Sequence, residues 1–188
     1  PLSGFEAKID DPRKRFITTL FCYGCNLGQV QTARSVKGLS RKQVAWLNLK
    51  HVTEQRLYKA IVKVVNAYNC FALPRYWGSG KSASADGTKW NVFEQNLLSE
   101  YHIRYGGYGG IVYHHVADNY VALFSHFIPC GVWEAVSIIE GLLQNKSDIQ
   151  PDTLHGDTQA QSTPVFALAH LLGINLMPRI RNIKDLVF

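Results

Sequence analysis

No apolar run in the 188-residue chain approaches the roughly 18 residues needed to cross a bilayer, and the opening PLSGFEAKID lacks the apolar centre of a secretory signal. No membrane partner is expected. Methionine does not stand first, so the chain is expected to be a segment of a longer polypeptide. Cysteine is sparse: Cys22, Cys25, Cys70 and Cys130 show no dense spacing, which argues against a disulfide scaffold and for a reducing, cytoplasmic compartment. Acids are scarce in one half only. Residues 1–80 carry 13 Lys/Arg against 4 Asp/Glu, whereas residues 81–188 carry 7 against 10. A basic stretch nearly free of acids suits a polyanion, because each phosphate it neutralises releases condensed counterions.

What is present divides at the same place. In LSRKQVAWLNLKHVTEQRLYKAIVKVVNAYN, Leu57, Ala60, Ile61, Val64, Val65 and Tyr68 recur at helical intervals, and Ser40 and Thr53 are candidate caps. Pro74, Gly78 and Gly80 then break the pattern, so a basic helical segment is predicted over 1–80 and a second domain over 81–188. In that domain SASAD is predicted as a buried strand of tiny residues. Strands at 110–117 and 120–128 are predicted to join at an Asp118-Asn119 turn. A helix follows, with Val132, Val136, Ile139 and Leu143 inward and Glu134 and Ser137 outward. A strand ending at Asp157, a helix capped by Thr163 with Pro164 at its start and Gly173 beyond its end, and an edge strand containing Pro178 complete the order. The prediction is an α/β fold with a mixed five-stranded sheet and flanking helices, antiparallel first and parallel thereafter.

A right-handed crossover through the helix after Val132 would set the Asp157 strand beside the Asp86 strand. Two close carboxylates cannot both stay ionised in a buried site unless a cation lies between them or one takes up a proton. Hard oxygen ligands on rigid strands suit Mg²⁺ or Mn²⁺, and two such ions serve phosphoryl displacement. The plain alternative is an aspartate ending a strand at a common Asp-Gly turn.

The stretches WGSGKSASADGTKW, YGGYGGIVYHHVADNYVALFSHFIPCGVWEAVSIIEGLLQN and DTLHGDTQAQSTPVFALAHLLGINLMPRIRN resemble the catalytic region of replicative transposases of the Tn-three type. The similarity extends back through NLGQVQTARSVKGLSRKQVAW. It implies a ribonuclease-H-like core with an Asp, Asp, Glu triad that binds two Mg²⁺ or Mn²⁺ ions in the intact enzyme. It also implies nicking of DNA at transposon ends, joining of the freed 3′ hydroxyl to target DNA, and a homodimer acting in the bacterial cytoplasm. By the same resemblance Asp86 would bridge two ions and Asp157 would bind one. The implied glutamate has no counterpart: after Asp157 the only acid is Asp185, too close to the last strand. The chain alone is therefore expected not to cleave DNA. The alternative is a non-catalytic DNA-binding or assembly module of the same fold.

Other signals are weaker. GSGKS lacks the first glycine of a phosphate-binding loop, because Arg75 stands there, and a strand rather than a helix follows. Cys22 and Cys25 form half a zinc pattern with no second pair. His114, His115 and His126 do not converge, since the expected turn sets His126 opposite Ile111. His155 lies two residues before Asp157 and so shares its face. Arg75, Trp77, Lys81, Lys89, Arg179 and Arg181 are candidate DNA contacts, by phosphate pairing or base stacking. Trp77 and its fellow Trp90 are equally explained by packing. Asp118, Asp148 and Asp152 are read as solvated turn acids.

Overall fold

In the computed structural model, which describes residues 9–103 and 106–185, the first helices start where side chains satisfy the free amides of a first turn. Helix α1 (Pro12–Gly24) is capped by Asp11, whose carboxylate accepts from Lys14 N at 3.4 Å. After α2 (Gln29–Ser35), helix α3 (Arg41–His51) opens with a reciprocal box. Gln43 N donates to Ser40 Oγ at 3.3 Å, and Ser40 N donates to Gln43 Oε1 at 2.9 Å. Thr53 Oγ1 accepts from Arg56 N at the start of α4 (Glu54–Asn69), 3.4 Å away. Cys22, Leu39 and Val44 form the small core under α1 to α3, and His51 meets the ring edges of Phe16 and Trp46.

Packing divides the chain into Pro1–Ile61 and Val62–Phe188. The sequence changes rhythm near residue 80, but the division falls inside α4, because Val65 is buried in the same cluster as Ala83, Leu123 and Ile149. Two hydrogen bonds tie the end of α4 to the second unit: Tyr68 OH donates to Asn119 O, and Asp148 N donates to Asn66 Oδ1. A short α5 (Pro74–Trp77) leads into the sheet.

Strand β1 (Ser82–Asn91) pairs antiparallel with β3 (Gly107–Ala117), and β3 pairs antiparallel with β4 (Ala122–Pro129). Helix α6 (Glu134–Gln144) crosses to β5 (Thr153–Gly156), which runs parallel to β1. Helix α7 (Thr163–Leu171) then returns to β6 (Asn175–Pro178), parallel to β5 and at the sheet edge, where the missing amide of Pro178 is tolerated. A short β2 (Glu100–His102), unforeseen in the sequence, pairs with the start of β3 and makes the sheet six-stranded. The order β4-β3-β1-β5-β6, three antiparallel strands followed by two parallel ones joined by helices, is the ribonuclease-H-like arrangement.

Three local expectations are corrected. The β3–β4 connection is longer than a two-residue turn: Ala117 N donates to Val121 O, Tyr120 takes the left-handed conformation (φ 63°), and the ladder shifts at His115/Val116. His126 therefore lies opposite Tyr113, not Ile111. Helix α7 has Ser162 rather than Thr163 at its N-cap, without a side-chain bond, while Gly173 follows it with φ +71° as expected. On α6 the inward face is Ala135, Ser137, Ile138, Ile139, Gly141 and Leu142, and Val132, Val136 and Leu143 are about half exposed. The helix begins only at Glu134, and its inward face combines Ile138, Ile139 and Leu142 with the small residues Ala135, Ser137 and Gly141. Close approach is the cause.

That approach centres on His115, which is fully buried, with Nε2 donating to Ile138 O at 2.7 Å. A Cβ on Gly141 would run into the His115 ring. Gly141→Ala is therefore expected to destabilise by about 1 to 3 kcal/mol through overpacking, although alanine is the better helix former by about 1 kcal/mol; a higher urea midpoint would contradict this. Burial lowers the His115 pKa to about 4, opposed by the Ile138 bond and aided by His126 and His114. Above pH 6.5 the ring is neutral whether the chain is folded or not. As pH falls from there to about 4 only the unfolded chain takes the proton, so up to about 3 kcal/mol of stability is lost. Burial also lowers the pKa of His126, in the same direction. Urea midpoints at pH 7 and pH 4.5 check this, and equal midpoints would refute it.

Candidate active site

Strand alternation decides what β1 presents. Ala83 and Ala85 are buried in the cluster that holds Ile138 and Leu142 of α6, whereas Ser84, Asp86 and Thr88 are exposed. The β1–β5 ladder pairs Ser82 with Thr153, Ala83 with Leu154 and Ser84 with His155. Carried on at the same offset, it sets Asp86 level with Asp157, two positions past the last paired residues. Asp86 Oδ1 accepts from Gly87 N at 2.8 Å, and Asp157 Oδ1 accepts from Gln159 N at 2.9 Å in the turn after β5. Neither carboxylate forms an ion pair among the described residues.

The two side chains occupy different surroundings. Asp86 stands on the exposed face of β1. Asp157 is half-buried and lines a cavity of about 430 Å³ with Trp133, Glu134, Gln159 and Arg181. Tyr113, on β3 opposite Gly87, is 1% exposed, and its pKa is pushed up by burial first and then by the carboxylates of Asp157, Glu134 and Asp86. A phenol resists ionising where negative charge gathers, so all three acids act on one neighbourhood. Carboxylate oxygens suit Mg²⁺ or Mn²⁺, and Arg181 borders the same cavity as Asp157. Among the described residues no three His, Cys, Asp or Glu side chains are drawn together at metal-ligating distance.

The remaining candidates scatter around this centre. Arg75 and Lys81 are exposed, Lys89 is half-buried, and Trp77 is half-exposed with its ring edge-on to Tyr120 at 5.7 Å. His155 is exposed, and its Nε2 lies 3.0 Å from Ser82 Oγ. Arg179 extends the β6 side, its N–H donating to Gly156 O, while Arg181 borders the Asp157 cavity. Asp118 is not merely solvated: it accepts from Ser79 N at 3.1 Å and Gly80 N at 2.7 Å, and so fixes the loop before β1. All four cysteines are free thiols.

The sequence reading missed Glu134 and Tyr113. Assigning the α6 face by its large aliphatic residues turned Glu134 outward, and nothing in a periodicity marks which buried tyrosine lies among acids.

The whole chain, residues 1–188, matches the family described as the Tn3 transposase DDE domain. It is 29% identical over 170 residues to the transposase for transposon Tn1546 of Enterococcus faecium, covering 90% of this chain and 17% of the relative. It is 30% identical over 185 residues to the transposase for transposon Tn501 of Pseudomonas aeruginosa, covering 97% and 18%. The chain thus spans less than a fifth of the length of these curated relatives. Among solved structures, a Mos1 strand transfer complex is similar at a TM-score of 0.35 and 11% identity, covering 96% of this chain and 63% of that one. At that score the fold assignment rests on the strand order and not on the superposition. No helix among the described residues is long and apolar enough to cross a membrane. By the match along its full length, the chain belongs to the Tn3 transposase DDE domain family.

Proposed function

We propose that this chain is catalytic-domain sequence of a DNA transposase, and that Asp86 and Asp157 hold the divalent cations used to cut DNA at transposon ends and join it to a target. The observation that carries this reading is the constant β1–β5 offset, which, continued two positions past its last pair, brings Asp157 in the turn after β5 level with Asp86 on β1. Mg²⁺ or Mn²⁺, two ions in the intact enzyme, would activate the attacking oxygen and stabilise the leaving one. The chain's own contribution is positional. The strands hold the carboxylates, tiny Ala83, Ala85 and Gly87 let neighbouring elements come close, and Asp118 steadies the loop that feeds β1.

Around these acids, Arg75, Lys81, Lys89, Arg179 and Arg181 would take backbone phosphates, Trp77 would stack on an unpaired base, and His155 would touch DNA beside Asp157. The basic segment 1–80 adds a sequence-independent attraction for DNA, while residues 81–188 form the catalytic domain. The intact protein is proposed to act as a homodimer in the cytoplasm. The 188 residues alone are expected to bind DNA without cutting it, because the implied triad is incomplete within them.

In the protein as encoded, Asp86→Asn or Asp157→Asn is expected to lower strand cleavage and joining by about 10³-fold or more, since metal stabilisation is worth several kcal/mol. Near-wild-type strand transfer by either variant would end the assignment. Arg75→Ala combined with Lys81→Ala is expected to weaken DNA binding about equally across sequences, and to reduce the salt slope by about 1 for each phosphate that is no longer neutralised. Fluorescence anisotropy over a salt series measures this, and an unchanged slope would remove both residues from the interface.

A further inference from the structure

Helices α2 and α3 are joined more tightly than a merely basic surface requires. Between Val36, which ends α2, and Ser40, which caps α3, stand only Lys37, Gly38 and Leu39. Gly38 takes φ +84°, where the absence of a Cβ makes the reversal cheap. Val36, Leu39 and Val44 close on Cys22 of α1, and Leu47 is fully buried. Helix α1 braces the pair: Tyr23 OH donates to Gln29 Oε1 at 2.9 Å where α2 begins, and Lys14 Nζ donates to Lys37 O at 3.2 Å in the turn. Two short helices joined by a three-residue turn containing glycine have the plan of a helix-turn-helix, whose second helix lies in the major groove of duplex DNA.

The free face of α3 has the chemistry for that place. Buried Val44, Leu47 and His51 mark its inner side. At 3.6 residues per turn, Lys42, Trp46 and Leu49 fall on the opposite side, with Arg41 and Lys50 exposed beside them. Residues 12–51 hold eight Lys/Arg and no Asp/Glu, so no carboxylate side chain of α1 to α3 repels a phosphate. Lysines alone would account for adhesion to any DNA, but not for Leu49, which is 83% exposed among them. In the major groove an apolar side chain meets the methyl group of thymine, while Arg and Lys pair with guanine. We propose that α3 reads duplex DNA in the major groove, with Arg41 and Lys42 donating to base edges and Leu49 covering a thymine methyl, so that this unit prefers a particular sequence. The inference rests on DNA being the partner of the basic segment and is independent of Asp86 and Asp157. Phosphate contacts would position the helix, and base contacts would choose the site.

Selection of bound duplexes from a random library by the 188-residue chain tests this without any assay of cleavage, and a short enriched motif is expected. Arg41→Ala is expected to lower affinity for that motif by about 10-fold, within the range of one base contact, and to relax the preference at one position. Replacing thymine by deoxyuridine in the motif removes only methyl groups. It is expected to weaken the wild type by about 4-fold, the worth of one buried methyl group, and to leave Leu49→Ala unaffected. Arg75→Ala with Lys81→Ala should weaken every sequence alike and leave the motif unchanged. Both α3 side chains are exposed, and thermal melts monitored by circular dichroism confirm that their variants are folded. If duplexes bind with no sequence enriched, or the motif is indifferent to Arg41→Ala and Leu49→Ala, the reading role of α3 is overturned and the proposed function stands. If Leu49→Ala only separates a self-associated chain in sedimentation, a second copy covers this face and the inference fails in the same way. No saturable binding to any duplex would overturn it together with the attraction proposed for residues 1–80, while Asp86 and Asp157 would still be judged by strand transfer.

Discussion

The parallel ladder between β1 and β5 is the constraint on which the rest depends. It joins residues about 70 positions apart at a fixed offset, and no local feature of either strand could do so. The ladder requires a crossover, and α6 supplies it, lying against the sheet where Gly141 leaves room for the His115 ring. The apolar cluster under the crossover, including Ala85, Ile138 and Leu154, holds both strands from below. Asp86 within β1 and Asp157 just after β5 are thereby held without bonding to one another.

Electrostatics works against this arrangement and the fold opposes it mechanically. Asp86, Glu134 and Asp157 act together on Tyr113, a buried phenol that they and burial keep neutral. Each aspartate accepts from a neighbouring backbone amide, Asp86 from Gly87 within β1 and Asp157 from Gln159 in the turn after β5. No arginine or lysine is paired with either aspartate among the described residues. The negative potential at these two carboxylates is what a divalent cation and a phosphate backbone would meet together. The excess positive charge lies elsewhere, in the first 80 residues.

Much of the fold was legible because the relevant signals are local. Ser40 with Gln43, Gly173 after α7 and Pro178 on an edge strand each carry their structural reason within a few residues. The order of strands and helices followed from punctuation and periodicity, and Asp86 and Asp157 were singled out as candidates from their strand positions and from the family likeness together. The failures concern what arises only after packing. A two-residue turn at Asp118-Asn119 is good local chemistry, but Asp118 is drawn to Ser79 and Gly80, and the turn lengthens. The α6 face was assigned by size, whereas the sheet selects small residues where His115 must fit. Glu134 was lost with that face.

The central claim is that Asp86 and Asp157 act on one cation-binding site despite their different side-chain surroundings. Anomalous diffraction from crystals of the chain grown with Mn²⁺ tests it most directly. The account predicts a manganese peak within ligating distance of both carboxylates. A peak held by one of them alone, with the other pointing across the sheet, would contradict it.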